Sequence, residues 1–94
     1  MTRHRAFTRL EFMPRFNKSF QKLDHARQEQ CGDALDQLLI NPLPAGLHFK
    51  PILPTKTYWE ARVNRSDRLI IAPEGSVAYI MDVVTHDEIG RWSK

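Results

Sequence analysis

The sequence predicts an α+β fold in which a two-helix hairpin packs on a small, mostly antiparallel, twisted sheet of about four strands. The expected order is β-α-α-β-β-β, with room for a short helical turn at the C-terminus. Apolar residues recur at helical spacing in two segments of the first half, whereas the second half contains extended, alternating or wholly apolar segments. The 94 residues, 41% hydrophobic and 27% charged, are typical of one globular domain, which we expect to span residues 1–94.

The first half is predicted to contain one strand and two helices. Residues 7–12 alternate between apolar and polar side chains, which indicates a strand. Pro14 suits the first turn of a helix, and Asp24 is a plausible N-cap for a second helix that runs to about Ile40. The prolines of residues 41–44 then end the helical pattern. The inner stripe of the second helix is expected to contain Cys31, Ala34, Leu35, Leu38 and Leu39.

The second half is predicted to form the rest of the sheet. Extended segments are expected at residues 47–52, 58–64, 68–73 and 77–84. Pro51 lacks an N–H and therefore indicates an edge strand or a strand end. The segment Glu74-Gly75-Ser76 predicts a tight hairpin turn. The last strand is apolar on both faces, which is typical of a central strand.

Composition excludes several classes of protein. No apolar run approaches the ~20 residues of a membrane-spanning helix, and we read no signal peptide. The single cysteine, Cys31, cannot form an internal disulfide, so we expect a reducing cytoplasm and interpret this residue as a small buried helix residue. The spacing of His4, His25 and His48 matches no metal-ligand pattern. We therefore expect no metal, no cofactor and no membrane partner.

Positive charge is unevenly distributed along the chain. The net charge is only +3, but residues 1–23 hold six Lys or Arg residues against one acid. Residues 24–41 are acidic, and residues 42–72 are again basic. Clustered cations suit an RNA, DNA or acidic-protein partner, although a solvated basic surface explains them equally well.

Three residues near the end of the chain point to chemistry on a phosphodiester. Arg62 lies on the polar face of its predicted strand, Arg68 opens the next strand, and His86 follows the last one. An arginine stays charged and grips a phosphate through two N–H groups. A histidine titrates near neutrality and so can move a proton.

Each of these residues also has a purely structural interpretation. Arg62 could form a cross-strand ion pair with Glu60 or Asp67. Arg68 could pair with Asp67 or with Asp82, and His86 could be a capping or surface residue.

In combination, these segments resemble the RelE/ParE superfamily of bacterial toxin–antitoxin toxins. The helical hairpin ends in Asn-Pro and is followed by Gly-Leu-x-x-Lys, where the lysine is Lys50. The pattern Trp-x-x-Arg-Val-Asn, which includes Arg62, precedes Arg-Leu-Ile and a terminal strand that ends in His86. The resemblance covers residues 10–92 approximately.

The resemblance implies a specific activity and specific site residues. RelE-type members cut messenger RNA in the ribosomal A site without a metal, by attack of the ribose 2′-OH on the adjacent phosphorus. By position, Arg62 and Arg68 match the arginines that face the scissile phosphate, and His86 matches a C-terminal histidine that transfers protons. We further expect three residues to bind the substrate: Lys50, Arg65 and Trp92, the last as a stacking ring if the C-terminus forms a helical turn.

The resemblance also implies partners and leaves alternative functions open. A cognate antitoxin would place an acidic, partly disordered segment over Arg62 and Arg68, and the substrate would be mRNA on the ribosome. Many active members carry an aromatic residue beside the C-terminal histidine, where this sequence has Asp87 and Glu88. A gyrase-binding toxin of the ParE kind and a non-catalytic RelE-like interaction module therefore remain alternatives to a ribonuclease.

Overall fold

A computed structural model of the chain describes residues 6–93. The strands and helices follow the predicted order, except that four strands rather than three come after the helical hairpin. The predicted C-terminal helical turn is a 3₁₀ helix. The strands are β1 (Arg9–Phe12), β2 (Lys50–Pro51), β3 (Trp59–Arg62), β4 (Asp67–Glu74) and β5 (Val77–Thr85); the α-helices are α1 (Pro14–Gln21) and α2 (His25–Gln37); the 3₁₀ helices are Ala45–Leu47 and His86–Trp92.

The five strands form one sheet in the spatial order β1-β5-β4-β3-β2. β1 pairs with β5 in parallel, and the other three pairs are antiparallel. The predicted α+β class and mostly antiparallel sheet are confirmed, but the expected count of about four strands was one too low. The difference comes from β2, whose Lys50 and Pro51 pair with Glu60 and Trp59 as a complete, short edge strand. A proline suits that position because an edge strand needs no donor on its outer side.

The helical hairpin forms largely as predicted, but α2 is shorter than expected. The Asp24 carboxylate accepts the N–H of Arg27 at 2.9 Å and so caps α2. The regular helix ends at Gln37 rather than near Ile40, because a tight turn follows in which the N–H of Ile40 donates to the carbonyl of Gln37. Leu39 is exposed, so its predicted place on the inner stripe was wrong. No helix within residues 6–93 is long and apolar enough to cross a membrane.

The core lies between the helical hairpin and one face of the sheet. The hairpin contributes the buried residues Phe16, Cys31, Ala34 and Leu38, the last of which is the C-cap of α2. They pack against Ala61, Leu69, Ile71 and Ile80 of the sheet. The interpretation of Cys31 as a buried helix residue is confirmed, and burial raises the pKa of its thiol to about 12. Because side chains alternate along a strand, the neighbours of Ala61 and Leu69 lie on the opposite face of the sheet. That face carries Arg62 and Arg68.

Candidate functional site

A cavity of about 140 Å³ opens on the face of the sheet opposite the helical hairpin. It brings together four of the six residues that the sequence predicts to form a site. The residues that line it are His48, Lys50, Glu60, Arg62, Arg68 and His86. Residues from three strands and two flanking segments therefore converge on a small, strongly charged volume.

Strand register explains why the charged side chains meet. Lys50 lies opposite Glu60 across β2 and β3, and Arg62 lies opposite Arg68 across β3 and β4. Glu60 and Arg62 are two residues apart and therefore share a face. Like charges opposite each other in a sheet repel, so Glu60 is the counter-charge that the cluster needs. Its carboxylate lies 3.8 Å from Nε of Arg68.

The Arg68 side chain is held firmly by the protein. Its Nη1 donates to the backbone carbonyls of Asn64 at 2.8 Å, Asp67 at 3.0 Å and Arg65 at 3.2 Å. The anticipated ion pairs of Arg68 with Asp67 or Asp82 do not form, since the guanidinium uses carbonyl oxygens and Glu60 instead. Nη1 of the guanidinium therefore stabilises the local fold, and the Arg68 side chain also borders the cavity.

Arg62 contrasts with Arg68. Its side chain is exposed, and it forms no hydrogen bond or ion pair with any residue in the described range 6–93. The alternative ion pairs with Glu60 and Asp67 are absent, because Glu60 faces Arg68 and Asp67 faces Arg27. Arg62 also borders a second groove of about 400 Å³, which lies against α2 and is shared with His48. A permanently charged guanidinium is thus presented to any anionic ligand that enters.

His86 is the first residue of the C-terminal 3₁₀ helix, and a backbone hydrogen bond fixes its position. Its N–H donates to the carbonyl of Ser66 at 2.7 Å. Nδ1 lies 3.8 Å from a carboxylate oxygen of Asp87, whose own side chain is fully exposed. The imidazole is therefore accessible at the rim of the cavity, where proton transfer to a bound ligand is sterically open.

Glu88 does not border the cavity, although it is only two residues from His86. Its Oε1 accepts the backbone N–H of Thr85 at 2.9 Å and the Thr85 hydroxyl at 3.1 Å, which forms a capping box. The hydrogen bond from the Thr85 backbone lowers the pKa of Glu88. This carboxylate therefore stabilises the start of the 3₁₀ helix.

His48 is a site residue that the sequence analysis missed. It lies in a left-handed backbone conformation, with φ of 48°, directly after the first 3₁₀ helix. The only sequence signal was its position two residues before Lys50 in a segment predicted to be extended. The left-handed backbone at His48 means that this alternation does not account for its place in the cavity. The cavity therefore contains two imidazoles, His48 and His86, rather than one.

Arg65 and Trp92, two of the predicted substrate-binding residues, do not line the cavity. Arg65 contributes a carbonyl to Arg68. Trp92 ends the C-terminal 3₁₀ helix and packs edge-on against Tyr58 at 5.0 Å, with the guanidinium of Arg15 at 5.7 Å from its ring centre. It borders a separate groove of about 330 Å³ between α1 and β5.

The described part of the chain contains no group of three or more His, Cys, Asp or Glu side chains arranged to hold a metal ion. The two cavity imidazoles lie among three cationic side chains, those of Lys50, Arg62 and Arg68. Such an arrangement has the chemistry to bind an anion and to exchange protons with it.

Several solved toxin structures are similar to this chain. In the RelB–RelE antitoxin–toxin complex from Methanococcus jannaschii, the matching chain has a TM-score of 0.70 at 17% identity, over 87% of this chain and 96% of that chain. The DinJ–YafQ toxin–antitoxin complex from E. coli gives 0.69 at 20% identity, over 83% and 91%. The archaeal RelE–RelB complex from Pyrococcus horikoshii OT3 gives 0.68 at 19% identity, over 86% and 96%. No family model and no curated protein matches the sequence.

These similarities show that the chain has the fold of RelE-like toxins. The fold expected from the resemblance to the RelE/ParE superfamily is thereby confirmed. It extends over more than four-fifths of this chain and nine-tenths of each of the three solved toxins.

Proposed function

We propose that this protein is the toxin of a toxin–antitoxin system and that it cleaves ribosome-associated mRNA without a metal. The observation that carries the proposal is the cavity in which His48 and His86 stand beside Lys50, Arg62 and Arg68. This set contains both classes of group that phosphodiester cleavage by an internal hydroxyl needs. They are a pair of proton carriers and a cluster of cations.

The proposed reaction uses the ribose 2′-OH of the RNA as the nucleophile. One neutral imidazole accepts the 2′-OH proton while the 2′-oxygen forms a bond to phosphorus. The bond from phosphorus to the 5′-oxygen breaks, and the other imidazole, in its protonated form, donates a proton to that oxygen. The products are a 2′,3′-cyclic phosphate and a free 5′-OH.

The cations would stabilise the charge that develops on the phosphorane. Arg62 is exposed and unpaired within residues 6–93, so both edges of its guanidinium are available to phosphate oxygens. In Arg68, Nη1 is fixed by carbonyls and Nε lies 3.8 Å from Glu60, so Nη2 is the nitrogen that it would offer to a phosphate oxygen. A fixed donor costs no reorganisation when the charge develops, which is the main source of electrostatic catalysis.

The same charges suit a cognate antitoxin. The solved RelE and YafQ toxins are each described in complex with an antitoxin. We propose that an acidic segment of the antitoxin of this protein covers Arg62 and Arg68 and so blocks the cavity. An acidic peptide would compete with RNA for the same guanidinium groups.

The structure weakens one argument for a non-catalytic module. Asp87 and Glu88 lie beside His86 in sequence, but neither lines the cavity. Glu88 is occupied as a cap, and Asp87 faces solvent. The carboxylates therefore do not occupy the place of an incoming phosphate.

The test is induced expression of the wild type, Arg62→Ala, His48→Ala and His86→Ala in parallel, with growth measured and mRNA 5′ ends mapped. Arg9→Ala is the matched control, because Arg9 is an exposed arginine on the far edge strand and pairs only with Glu11 within the described residues. We expect growth arrest and new 5′-OH ends inside reading frames for the wild type and the control. The three site variants should lose both.

The other outcomes separate the alternatives. Growth arrest without cleavage, accompanied by DNA damage signalling, would identify a gyrase-binding toxin. Absence of arrest, with stable expression of the folded protein, would identify a non-catalytic RelE-like module.

A further inference from the structure

The turn between β3 and β4 is shaped by its own side chains. The amide oxygen of Asn64 accepts the backbone N–H groups of Ser66 at 2.9 Å and Asp67 at 2.7 Å. Asparagine side chains commonly fix turns in this way, by bonding to the backbone two or three residues later. The turn Asn64–Asp67 is therefore a defined structure rather than a flexible connection.

This turn holds two of the proposed catalytic groups. Three of its carbonyls, those of Asn64, Arg65 and Asp67, accept hydrogen bonds from Nη1 of Arg68. The carbonyl of the fourth residue, Ser66, accepts the backbone N–H of His86. A displacement of the turn would thus move both the phosphate-facing cation and the imidazole.

The β3–β4 turn also forms hydrogen bonds with α2, which lies on the opposite side of the sheet from the cavity. Nε and Nη2 of Arg27 donate to the two carboxylate oxygens of Asp67 at 2.9 and 2.7 Å. Nδ2 of Asn64 donates to Asp67 at 2.8 Å and to Oε1 of Gln30 at 2.7 Å. Asp67 is 1% exposed, so this bidentate pair is shielded from solvent on the carboxylate side.

We propose that Arg27, Asn64 and Asp67 are positioning residues that set the place of Arg68 and His86 through the β3–β4 turn. The proposal deepens the proposed function and rests on it. Asp67 does not act as the acid or base, because both of its oxygens are occupied by Arg27 and Asn64 and it does not line the cavity. Its effect on the reaction is transmitted by the carbonyls of the turn.

A positioning role predicts a division between chemistry and binding. Displacing a catalytic group by about 1 Å can lower a rate by about a hundredfold without removing any contact to the substrate. Arg62 is not held by the turn and would still bind the RNA. The rate of cleavage should therefore fall much more than the affinity for RNA.

The experiment compares Arg27→Met, Asp67→Asn and the double variant, all as the full chain. Arg27→Met keeps the aliphatic stem of the side chain and removes its donors. Single-turnover cleavage is measured on ribosomes programmed with a labelled mRNA, and affinity is measured with the same mRNA carrying a 2′-deoxy residue at the cleavage site. We expect each single variant to lose about a hundredfold in rate and about twofold or less in affinity. The double variant should lose little more than either single one, because both changes break one linkage.

Hydrogen exchange of the His86 amide tests the geometry independently of any activity. We expect Arg27→Met to reduce the protection of this amide, while the amides of Leu69 and Val83 in the central strands stay protected. Arg9→Met is the matched control, since it removes an exposed ion pair at 3.0 Å on the far edge of the sheet. It should change neither the cleavage rate nor the exchange of His86.

The failure of the proposal and the failure of the proposed function are distinguishable. A wild-type protein that cleaves no RNA refutes the ribonuclease, and the exchange of His86 still decides whether the linkage to α2 holds the turn. Unchanged protection of His86 together with a wild-type rate in Arg27→Met overturns the proposal. Loss of one limb of the pH–rate profile in Asp67→Asn also overturns it, since that result would assign proton transfer to Asp67. If Arg27→Met does not fold, Arg27→Gln removes the charge and the two-point contact, and a wild-type rate together with unchanged protection of His86 in that variant overturns the proposal.

Discussion

Arg62 and Arg68 lie directly opposite each other on β3 and β4. Within residues 6–93, however, only the Arg68 guanidinium forms hydrogen bonds with other protein groups. The two arginines point to the same cavity from adjacent strands. Arg68 is fixed by three carbonyls and Glu60, whereas the side chain of Arg62 forms no hydrogen bond or ion pair within residues 6–93. We infer that Arg68 supplies a preorganised charge and that Arg62 closes on the ligand.

This contrast predicts that the two alanine substitutions differ in their effect on stability. Arg62→Ala should change the free energy of unfolding by less than about 0.5 kcal/mol, because the side chain is exposed and unbonded. Arg68→Ala should lower it by about 2 kcal/mol, because hydrogen bonds from a charged donor to partly buried carbonyls are lost. Urea unfolding followed by tryptophan fluorescence measures both.

Lysine substitutions at the same positions are the controls. Arg62→Lys should be as stable as the wild type, and Arg68→Lys should recover only part of the loss, since an ammonium cannot reproduce the planar guanidinium contacts. Equal destabilisation by the two alanine variants would contradict the different roles assigned to these arginines.

The buried thiol of Cys31 predicts resistance to modification. Burial raises its pKa to about 12 from an ordinary value of 9.0, so the thiolate fraction at neutral pH falls about a thousandfold. Side-chain contacts in the core also exclude a reagent. We expect a disulfide reagent such as DTNB to label native protein only at the rate of opening, and to label protein in urea at once. Rapid labelling of the native protein would show that Cys31 is accessible.

The Arg27–Asp67 pair predicts that part of the stability of the fold is lost at acidic pH. Hydrogen bonding to Arg27 lowers the pKa of Asp67 below its ordinary value of 3.8. Because the folded state has the lower pKa, the stabilisation is fully present above about pH 3.8 and is lost as the pH falls through the folded-state value. Asp67→Asn should therefore be less stable than the wild type by about 2 kcal/mol at neutral pH, a value reduced from that of fully buried pairs because Arg27 is partly exposed.

That difference should shrink when unfolding is measured near pH 2. Asp33→Asn is a suitable control, since Asp33 is an acid of α2 without an ion pair to another described residue. It should give the same acid dependence as the wild type. A stability difference between Asp67→Asn and the wild type that is independent of pH would contradict the role of the charged pair.

Local patterns in the sequence account for much of the cavity. Alternation placed Glu60 and Arg62 on one face of a strand, and the short turn after Asn64 brought Arg68 opposite Arg62. The Arg27–Asp67 contact joins residues 40 positions apart and depends on how α2 crosses the sheet. No local periodicity encodes such a crossing, so neither this pair nor its effect on Arg68 could be predicted.

The same limit explains two other differences between the prediction and the structure. His48 lines the cavity from a left-handed backbone conformation, which is uncommon outside glycine and which the sequence did not predict. β5 is a central strand, as its two apolar faces predicted, but its second neighbour is the parallel strand β1. A parallel pair is joined by a long connection, so neither strand's sequence identifies its partner. Charge and alternation identified which residues share a surface, and tertiary packing decided which of them touch.

A pair of histidines that exchange protons with the RNA predicts a bell-shaped pH–rate profile, because the reaction needs one imidazole neutral and the other protonated. Imidazole is the side chain whose charge ordinarily changes between pH 5 and 8. Single-turnover cleavage measured from pH 5 to pH 9 should therefore rise and then fall. His48→Ala and His86→Ala should each lower the maximum by about a hundred- to a thousandfold, and each should abolish a different limb of the profile.

His25→Ala is the matched control for these two variants. His25 is an exposed histidine on α2, and it pairs with Glu29 at 3.2 Å rather than bordering the cavity. Its replacement should leave the profile and the maximum unchanged. A profile that keeps both limbs in His48→Ala would show that His86 works with a partner other than His48. If neither single variant alters the profile, the two imidazoles take no part in proton transfer, and other groups must carry the protons in the cleavage reaction.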